Sequence, residues 1–318
     1  MADRVAVVVP VLDEAESLPA LLADLAAQKP PVAEIVVVDA GSTDGTPALL
    51  REAATRIPAL RVLEAEGATP GRGRNEGVAA AGADLLVTLD AGSRVGPGFV
   101  AALAAAAGPQ TVSVGVAEAD AHTAFERAAG WFTLRAFKPP DRPGPLAGTL
   151  LPAGRSGLCF TVDDWEAAGR YAEDLPWGED KLFALRLRSA GRELVVAPDA
   201  VVRWRPRGSL REIYRQYRNY GRGDALARID RQNELVTFGI YAAGAALAAL
   251  FVLGSRTAGA FLGAGAAGYL ALFVLAARRS LGADVALAWI PPLRLVVDVG
   301  KMHGFLEGLL RGDRLRRP

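Results

Sequence analysis

Six carboxylates stand where their spacing gives them chemistry to do. Asp13 and Glu14 follow the apolar run Val5–Val9, Asp39 ends Ile35–Val38, and Asp90 ends Leu85–Leu89. Runs of this kind, with Leu60–Leu63 and Thr111–Val116, read as buried strands of a parallel sheet. In such sheets ligands bind beyond the C-terminal strand ends. Aspartate also ends strands simply as a turn former, but three strand ends bringing carboxylates to one rim argue for a site. There they can accept hydrogen bonds from hydroxyl and imide groups, or offer hard oxygens to a cation. Glu179 and Asp180 open a later helical stretch. An acidic first turn favours the helix dipole, and a helix start is also a fixed platform for a base. Arg74, in Gly71–Gly77, is either a cation for an anionic ligand or a solvated loop residue.

Composition narrows the alternatives. Lys and Arg total 36 against 35 Asp and Glu, a net charge of +1, so no global polyanion-binding surface and no nucleic-acid partner is implied. One cysteine, Cys159 between Leu158 and Phe160, excludes an internal disulfide and a four-cysteine zinc site, and reads as a small core residue. Two histidines, His122 and His303, make a histidine metal site or triad improbable. The N-terminus enters a strand pattern without the charged start and apolar run of a signal peptide.

The elements that must position the carboxylates alternate between strand and helix. Ser17–Gln28 repeats Leu at 18, 21, 22 and 25, Thr46–Ala54 begins with Thr46 as expected N-cap before Pro47, and Gly98–Ala107 is Ala-rich. This pattern predicts an α/β fold with a sheet covered on both faces. The Pro- and Gly-rich Lys138–Gly157 is too long for an ordinary connection and reads as a mobile loop over a site. Then follow a strand (Leu158–Val162), a helix from Glu179 to about Ala190 closed by Gly191, short strands Glu193–Ala197 and Val201–Arg205, and a basic helix from Ser209.

Composition changes after residue 230. Leu235–Gly254 is 20 residues without a charge and Thr257–Ala277 is 21 more. Each matches the ~20 residues that cross a bilayer core. Arg is dense from Arg203 to Arg231, and Arg278 and Arg279 follow the second stretch, whereas the turn between has only Arg256. The positive-inside rule therefore places both ends in the cytoplasm. Val285–Leu310 is interrupted by Pro291, Pro292, Arg294, Asp298, Lys301 and Glu307, with Arg294, Asp298 and Lys301 on one stripe. It reads as an interfacial helix, with a third span as the alternative. The expected division is residues 1–230 and 231–318.

Four motifs occur in order: V-V-V-P-V-L-D-E, D-A-G-S-T-D-G-T at Asp39–Thr46, G-R-G-R-N-E-G at Gly71–Gly77, and L-D-A-G-S at Leu89–Ser93. Together they resemble the family 2 glycosyltransferases, which have the GT-A fold, a Rossmann-like mixed sheet. W-G-E-D at Trp177–Asp180 resembles that family's catalytic Glu-Asp pair, and R-Q-Y-R-N-Y at Arg215–Tyr220 its Q-x-x-R-W/Y element. The likeness is to membrane-anchored bacterial members that build exopolysaccharides or glycolipids. It implies a nucleotide-sugar donor, with Pro10, Asp13, Glu14, Asp39, Arg74 and Asp90 on the nucleotide side. It puts the base of an inverting transfer at Asp180, supported by Glu179. Trp177, Gln216 and Arg218 would face the diphosphate or the acceptor, a lipid-linked or glycan molecule at the cytoplasmic face of the bilayer. Gly71–Gly77 is not a dinucleotide fingerprint, because its spacing is G-x-G-x-x-x-G and it follows the third strand.

Two departures matter. The family usually has Asp-x-Asp where this chain has Asp90-Ala91-Gly92, so the carboxylate that normally binds Mn²⁺ or Mg²⁺ directly is missing. Asp90 is left as the one metal ligand of that motif, which puts a divalent cofactor in doubt. Position 219 is Asn where the Q-x-x-R-W/Y element has Arg, with Arg218, Arg215 or Arg222 as stand-ins. These departures leave a second expectation, a catalytically degenerate subunit that binds nucleotide or partners. A processive synthase needs more spans for a polymer channel, unless subunits assemble as a homo-oligomer.

Overall fold

The structure, a computed structural model, describes residues 4–134, 144–145 and 156–312. Apart from Gly144–Pro145 and residues 156–157, the expected loop Lys138–Gly157 lies outside the described residues. Packing divides the chain into two units, one of Met1–Asp120 with Leu134–Arg205, the other of Ala121–Thr133 with Pro206–Pro318.

In the first unit strand and helix alternate as the apolar runs predict: β1 (Val5–Val11), α1 (Leu18–Ala26), β2 (Glu34–Asp39), α2 (Thr46–Arg56), β3 (Leu60–Glu64), α3 (Pro70–Ala80), β4 (Leu85–Thr88), β5 (Ser93–Val95), α4 (Phe99–Ala106) and β6 (Thr111–Ala119). After α5 (Ala124–Leu134), which groups mainly with the second unit, come β7 (Gly144–Pro145), β8 (Leu158–Phe160), α6 (Val162–Ala167), α7 (Glu179–Ser189) and β9 (Glu193–Trp204). The sheet order is β3-β2-β1-β4-β8-β6-β9-β5, with β7 also on β9. The first four strands are parallel; β8 enters antiparallel between β4 and β6, making the sheet mixed.

Alternation along the strands explains the two cores. Val7, Val9, Ile35, Val37 and Val87 face the leucines of α1, Leu50 of α2 and Phe99 and Leu103 of α4. Ala6, Val8, Val36, Val38 and Leu86 face Val78 of α3, Trp165 of α6 and Phe183 and Leu187 of α7. Cys159 is fully buried in the first of these cores. Two local expectations are corrected. Gly45, not Thr46, is the N-cap of α2, because Thr46 Oγ1 is engaged by the Glu14 backbone N–H at 2.9 Å. The strands expected at 193–197 and 201–205 are one 12-residue strand, whose pairing with β6 shifts register between Val114 and Val116. The shift absorbs Pro198 and Asp199, which lie between the two expected strands.

The second unit holds α8 (Leu210–Ala227), α9 (Arg231–Val252), α10 (Arg256–Leu281), a 3₁₀ turn (Val285–Trp289) and α11 (Ile290–Gly312). Ala128, Trp131 and Phe132 of α5 join Ile213, Ala277, Ile290 and Leu293 in its apolar core. Glycine lets α8 and α11 press together: a Cβ at Gly300, Gly304 or Gly308 would strike the backbone of Tyr214, Arg218 or Arg222. The Arg294–Asp298–Lys301 stripe turns inward. Asp298 is buried, pairs with Arg294 and accepts from Tyr241 at 3.1 Å and Tyr269 at 2.7 Å. Lys301 lies 2.7 Å from Glu234 and 3.4 Å from Asp224. The outward face of α11 instead exposes Leu295, Val299, Leu306, Leu309 and Leu310.

Candidate active site

The carboxylates that sequence placed on one rim follow β1, end β2 and follow β4, three adjacent strands. The motif Asp39–Thr46 works first as an interlock between two loops. Asp39 Oδ1 accepts from the backbone N–H of Gly41 (3.2 Å) and Ser42 (2.9 Å) and from Ser42 Oγ (2.7 Å). Asp13 Oδ1 accepts from Thr43 N at 2.8 Å, and its own N–H donates to Ser42 Oγ at 2.9 Å. Asp44 accepts from Ala15 N at 3.0 Å and Thr46 N at 2.8 Å, and these bonds hold its carboxyl below the usual range. Glu14 accepts from Ser17 Oγ. One oxygen of Asp39 is thus spent on shaping the loop, and its Oδ2 has no hydrogen-bond partner among the described residues.

The glycines of Gly71–Gly77 serve close packing. A Cβ at Gly71 would collide with the Ala172 carbonyl oxygen, and one at Gly77 with the Val8 side chain; at Gly73 it would press on Pro10. This approach buries Arg74, which is 3% exposed. Its Nη2 donates to Asp90 Oδ1 at 2.6 Å and its Nη1 to Glu179. One guanidinium therefore joins the end of β4 to the first turn of α7, and sets Asp180 beside both. The αL conformation of Gly178 (φ 81°), which favours glycine, turns the chain into α7 at that point.

Asn75 extends the brace. Its Oδ1 accepts from Trp165 Nε1 (2.9 Å) and Tyr171 N (3.0 Å), and its Nδ2 donates to the Tyr171 carbonyl (3.0 Å) and Glu173 (2.8 Å). Tyr171 stacks on Phe183 of α7 with centroids 4.0 Å apart, and Arg74 lies 5.5 Å over its ring. Sequence reasoning missed Asn75 and Tyr171. Asn75 stood next to Arg74 in a quoted motif; Tyr171 carried no spacing signal.

Electrostatics separate the paired carboxylates. Burial pushes Glu179 up to about 7, against the pull of Arg74 and with help from Asp180. Arg74 stays charged, because Glu179 and Asp90 outweigh the cost of its burial. Asp180 and Trp177 are half-buried, and Pro10 is partly exposed at the rim. Gln216 and Arg218 belong to the second unit, on α8, where Gln216 donates to Tyr220 at 2.7 Å and Arg218 pairs with Glu307 of α11.

The residues present do not fit a resident divalent ion. Among the described residues no three His, Cys, Asp or Glu side chains converge as a metal site. Asp90, the one carboxylate of the Asp-x-Asp position, has an oxygen committed to Arg74.

The glycosyl transferase family 2 model matches residues 6–150. The succinoglycan biosynthesis protein ExoA of Rhizobium meliloti (strain 1021) is 29% identical over 228 residues, 69% of this chain and 68% of that protein. Among solved structures, the mannosyltransferase PcManGT of Pyrobaculum calidifontis, in complex with GDP-Man and Mn²⁺, superposes with a TM-score of 0.69 at 23% identity, over 98% of this chain and 88% of that one. GalNAc-T7 with UDP, GalNAc and Mn²⁺ gives a TM-score of 0.54 at 16% identity, over 65% and 44%. Residues 6–150 of the chain thus match the family 2 glycosyltransferases, and the fold is the GT-A fold. Two of its helices, Arg231–Val252 and Arg256–Leu281, are long and apolar enough to cross a membrane, and 0% and 6% of their apolar windows are buried. A soluble core helix would be covered; these two stand exposed, which suits contact with a membrane.

Proposed function

We propose that the chain transfers one sugar, with inversion, from a nucleotide-diphosphate sugar to a lipid-linked or glycan acceptor at the cytoplasmic face of the membrane. Polysaccharide assembly is the setting that the ExoA relative suggests. The observation that carries the reading is the buried bridge from Asp90 through Arg74 to Glu179, which fixes Asp180 at the rim. In the reaction Asp180 takes the proton of the acceptor hydroxyl. The acceptor oxygen bonds to the anomeric carbon from the face opposite the departing group. The bond to the diphosphate oxygen breaks, and nucleoside diphosphate leaves. Asp39, through its uncommitted oxygen, with Pro10, Asp13 and Glu14, forms the nucleotide side of the pocket. Glu179 and Arg74 hold the base's platform, and Gln216, Arg218 and Trp177 act on the diphosphate or acceptor. The catalytic domain is residues 1–230, and the membrane domain 231–318.

The test is Asp180→Asn. Removing a general base typically costs ~10²–10⁴-fold. Turnover should fall by that order, while nucleotide affinity by calorimetry stays near wild type; wild-type turnover would remove Asp180 from the mechanism. A divalent ion would be held mainly by the donor's diphosphate, with Asp90 the sole protein carboxylate, and no step above passes through it. Calorimetric titration of the nucleotide-free protein with Mn²⁺ should therefore show weak binding; tight binding would overturn this account. A second reading, a degenerate subunit, draws on Asp90 being occupied by Arg74. It predicts nucleotide binding without turnover in the unaltered protein.

A further inference from the structure

We propose that Tyr171 is a positioning residue for the transfer: its buried ring holds the first turn of α7, and with it the base Asp180, against Arg74. This rests on the reading of Asp180 given above. Every residue involved belongs to the first unit. Tyr171 falls between α6 and α7, outside any helix or strand, yet it is 3% exposed. Its ring stacks on Phe183 of α7, with centroids 4.0 Å apart and planes 25° apart. The Arg74 guanidinium lies 5.5 Å from the same ring. Glu179 and Phe183 are one turn apart on α7, and both are buried. The inner face of α7 therefore has two holds, Glu179 on Arg74 and Phe183 on Tyr171. One hold would let the helix pivot; two fix its rotation, and so the direction in which the next residue, Asp180, leaves it.

Tyr171 is held in turn. Asn75 of α3 spends two of its four hydrogen bonds on the Tyr171 backbone, accepting from the N–H and donating to the carbonyl, each at 3.0 Å. The other two reach Trp165 of α6 and Glu173. The Tyr171 hydroxyl lies 3.0 Å from Thr88 Oγ1 at the end of β4. Phe160 of β8 meets both rings, its centroid 6.4 Å from that of Tyr171 and 5.2 Å from that of Phe183. Burial holds the Tyr171 hydroxyl well above the ordinary tyrosine range, so it does not exchange a proton with the reaction. Its part is exerted through Asp180 and not on the reacting atoms.

A plain core aromatic is the competing reading. Packing accounts for the burial of the ring, since Tyr171 shares an apolar cluster with Phe160 and Phe183. Packing does not account for a guanidinium beside that ring, nor for a buried amide bonded to both sides of this one residue's backbone. A cation beside an aromatic ring is attracted most strongly where water is excluded, so the ring keeps Arg74, and through it Glu179, in one arrangement. A displacement of about 1 Å at a reacting group can cost on the order of 10²-fold in rate. A small tilt of α7 should therefore show in turnover before it shows in donor binding.

The experiment separates position from fold. Turnover is read as nucleoside diphosphate released from UDP-, GDP- and dTDP-hexoses by the full chain in detergent, with extracted membrane lipids as acceptor. Calorimetry with UDP and GDP gives nucleotide affinity and the binding-competent fraction. The variants are Tyr171→Phe, Tyr171→Leu, Phe183→Leu, Asp180→Asn, and Tyr171→Leu combined with Asp180→Asn. Per competent molecule, Tyr171→Leu should lower kcat by about 10- to 100-fold, with donor KM and nucleotide affinity unchanged. Tyr171→Phe, which keeps the ring, should stay near wild type. In the Asp180→Asn background Tyr171→Leu should cost nothing further, because the residue acts only through the base. Phe183→Leu removes the stack from the α7 side and serves in place of Tyr171→Leu if that variant does not fold. Wild-type kcat in Tyr171→Leu or Phe183→Leu overturns the proposal. So does an equal fall with and without Asp180, the mark of a general structural role, or a fall in Tyr171→Phe as deep as that in Tyr171→Leu. These results leave the reading of Asp180 intact. That reading fails instead if Asp180→Asn keeps wild-type turnover, or if the wild type binds nucleotide and turns over none of the donors.

Discussion

Arg74 shows how far a side chain's setting can lie from its sequence. Its motif marked it as a cation near an anionic ligand, yet its charge is spent internally on Asp90 and Glu179. Glu179 is 105 positions away, and no local pattern reports a contact of that separation. The carboxylate at the end of β2 was legible, because strand period and turn chemistry both point to it. That Asp39 would commit one oxygen to its own loop depended on Ser42 and the backbone around it. Burial of Glu179 leads to a measurable consequence. Its carboxyl ionises near 4.5 in an unfolded chain and near about 7 in the fold. Between those values the folded protein keeps a proton that the unfolded chain has shed, so its contribution to stability falls as pH rises through that window. The slope for one proton is at most about 1.4 kcal/mol per pH unit. Urea denaturation at pH 5, 6, 7 and 8 should show wild type losing more stability across the series than Glu179→Gln. The variant differs by a pH-independent offset, because a glutamine amide replaces the carboxyl bonded to Arg74, and only the slope separates the two proteins. Parallel stability curves for the two proteins would mean that Glu179 titrates normally.

Helices and strands were more legible than their partners. The leucine repeat gave α1, and the uncharged stretches gave α9 and α10, because burial or length alone dictates those patterns. The antiparallel entry of β8 was not legible: three residues, Leu158–Phe160, look alike in either direction. Nor was α5, whose apolar residues face the second unit's core rather than the sheet beside it in sequence. The charged stripe of α11 was visible, but its direction was not. In sequence it suits a helix whose charges face water, whereas here Asp298 and Lys301 find partners on α8, α9 and α10. The signal for that packing was Gly300, Gly304 and Gly308 at four-residue spacing, which allows two helices to touch at the backbone. Gly304→Ala should therefore destabilise the protein by about 1–3 kcal/mol, the usual cost of forcing atoms into a filled contact. Gly263→Ala is the control, since a Cβ there meets nothing and alanine favours the helix by roughly 0.5–1 kcal/mol. Thermal unfolding in detergent should lower the midpoint for the first and hold or raise it for the second; equal midpoints would mean that α8 and α11 do not pack this way.

If α9 and α10 cross a bilayer, as their length and composition permit, the next choice is whether α11 crosses as well, and the second unit's internal packing bears on it. The hairpin α9–α10 exposes Leu235, Val236, Phe251, Phe261, Leu272 and Leu275, a surface suited to lipid. Its open end carries Arg228 before α9, Arg231 at its start, and Arg278 and Arg279 at the end of α10, whereas the other end has Arg256 alone, at the start of α10. That asymmetry favours the open end in the cytoplasm. A crossing by α11 conflicts with its neighbours. It lies along α8, pressed there by its glycines, and α8 carries Arg211, Arg215, Arg218 and Arg222. Taking α11 across the hydrocarbon would draw those arginines in with it, at a cost of about 2.5–3.5 kcal/mol for each one near the centre. Lys301 bridges Asp224 near the end of α8 to Glu234 in the first turn of α9, which ties α11 to the start of the hairpin. An α11 lying in the interface meets both demands: charges satisfied inward, and Leu295, Val299, Leu306 and Leu310 left to face acyl chains. Reporter fusions placed after Arg279 and after Pro318 should then both give a cytoplasmic signal. A periplasmic signal at Pro318 with a cytoplasmic one at Arg279 would make α11 a third span, and would require the α8–α11 packing to be rebuilt in the membrane.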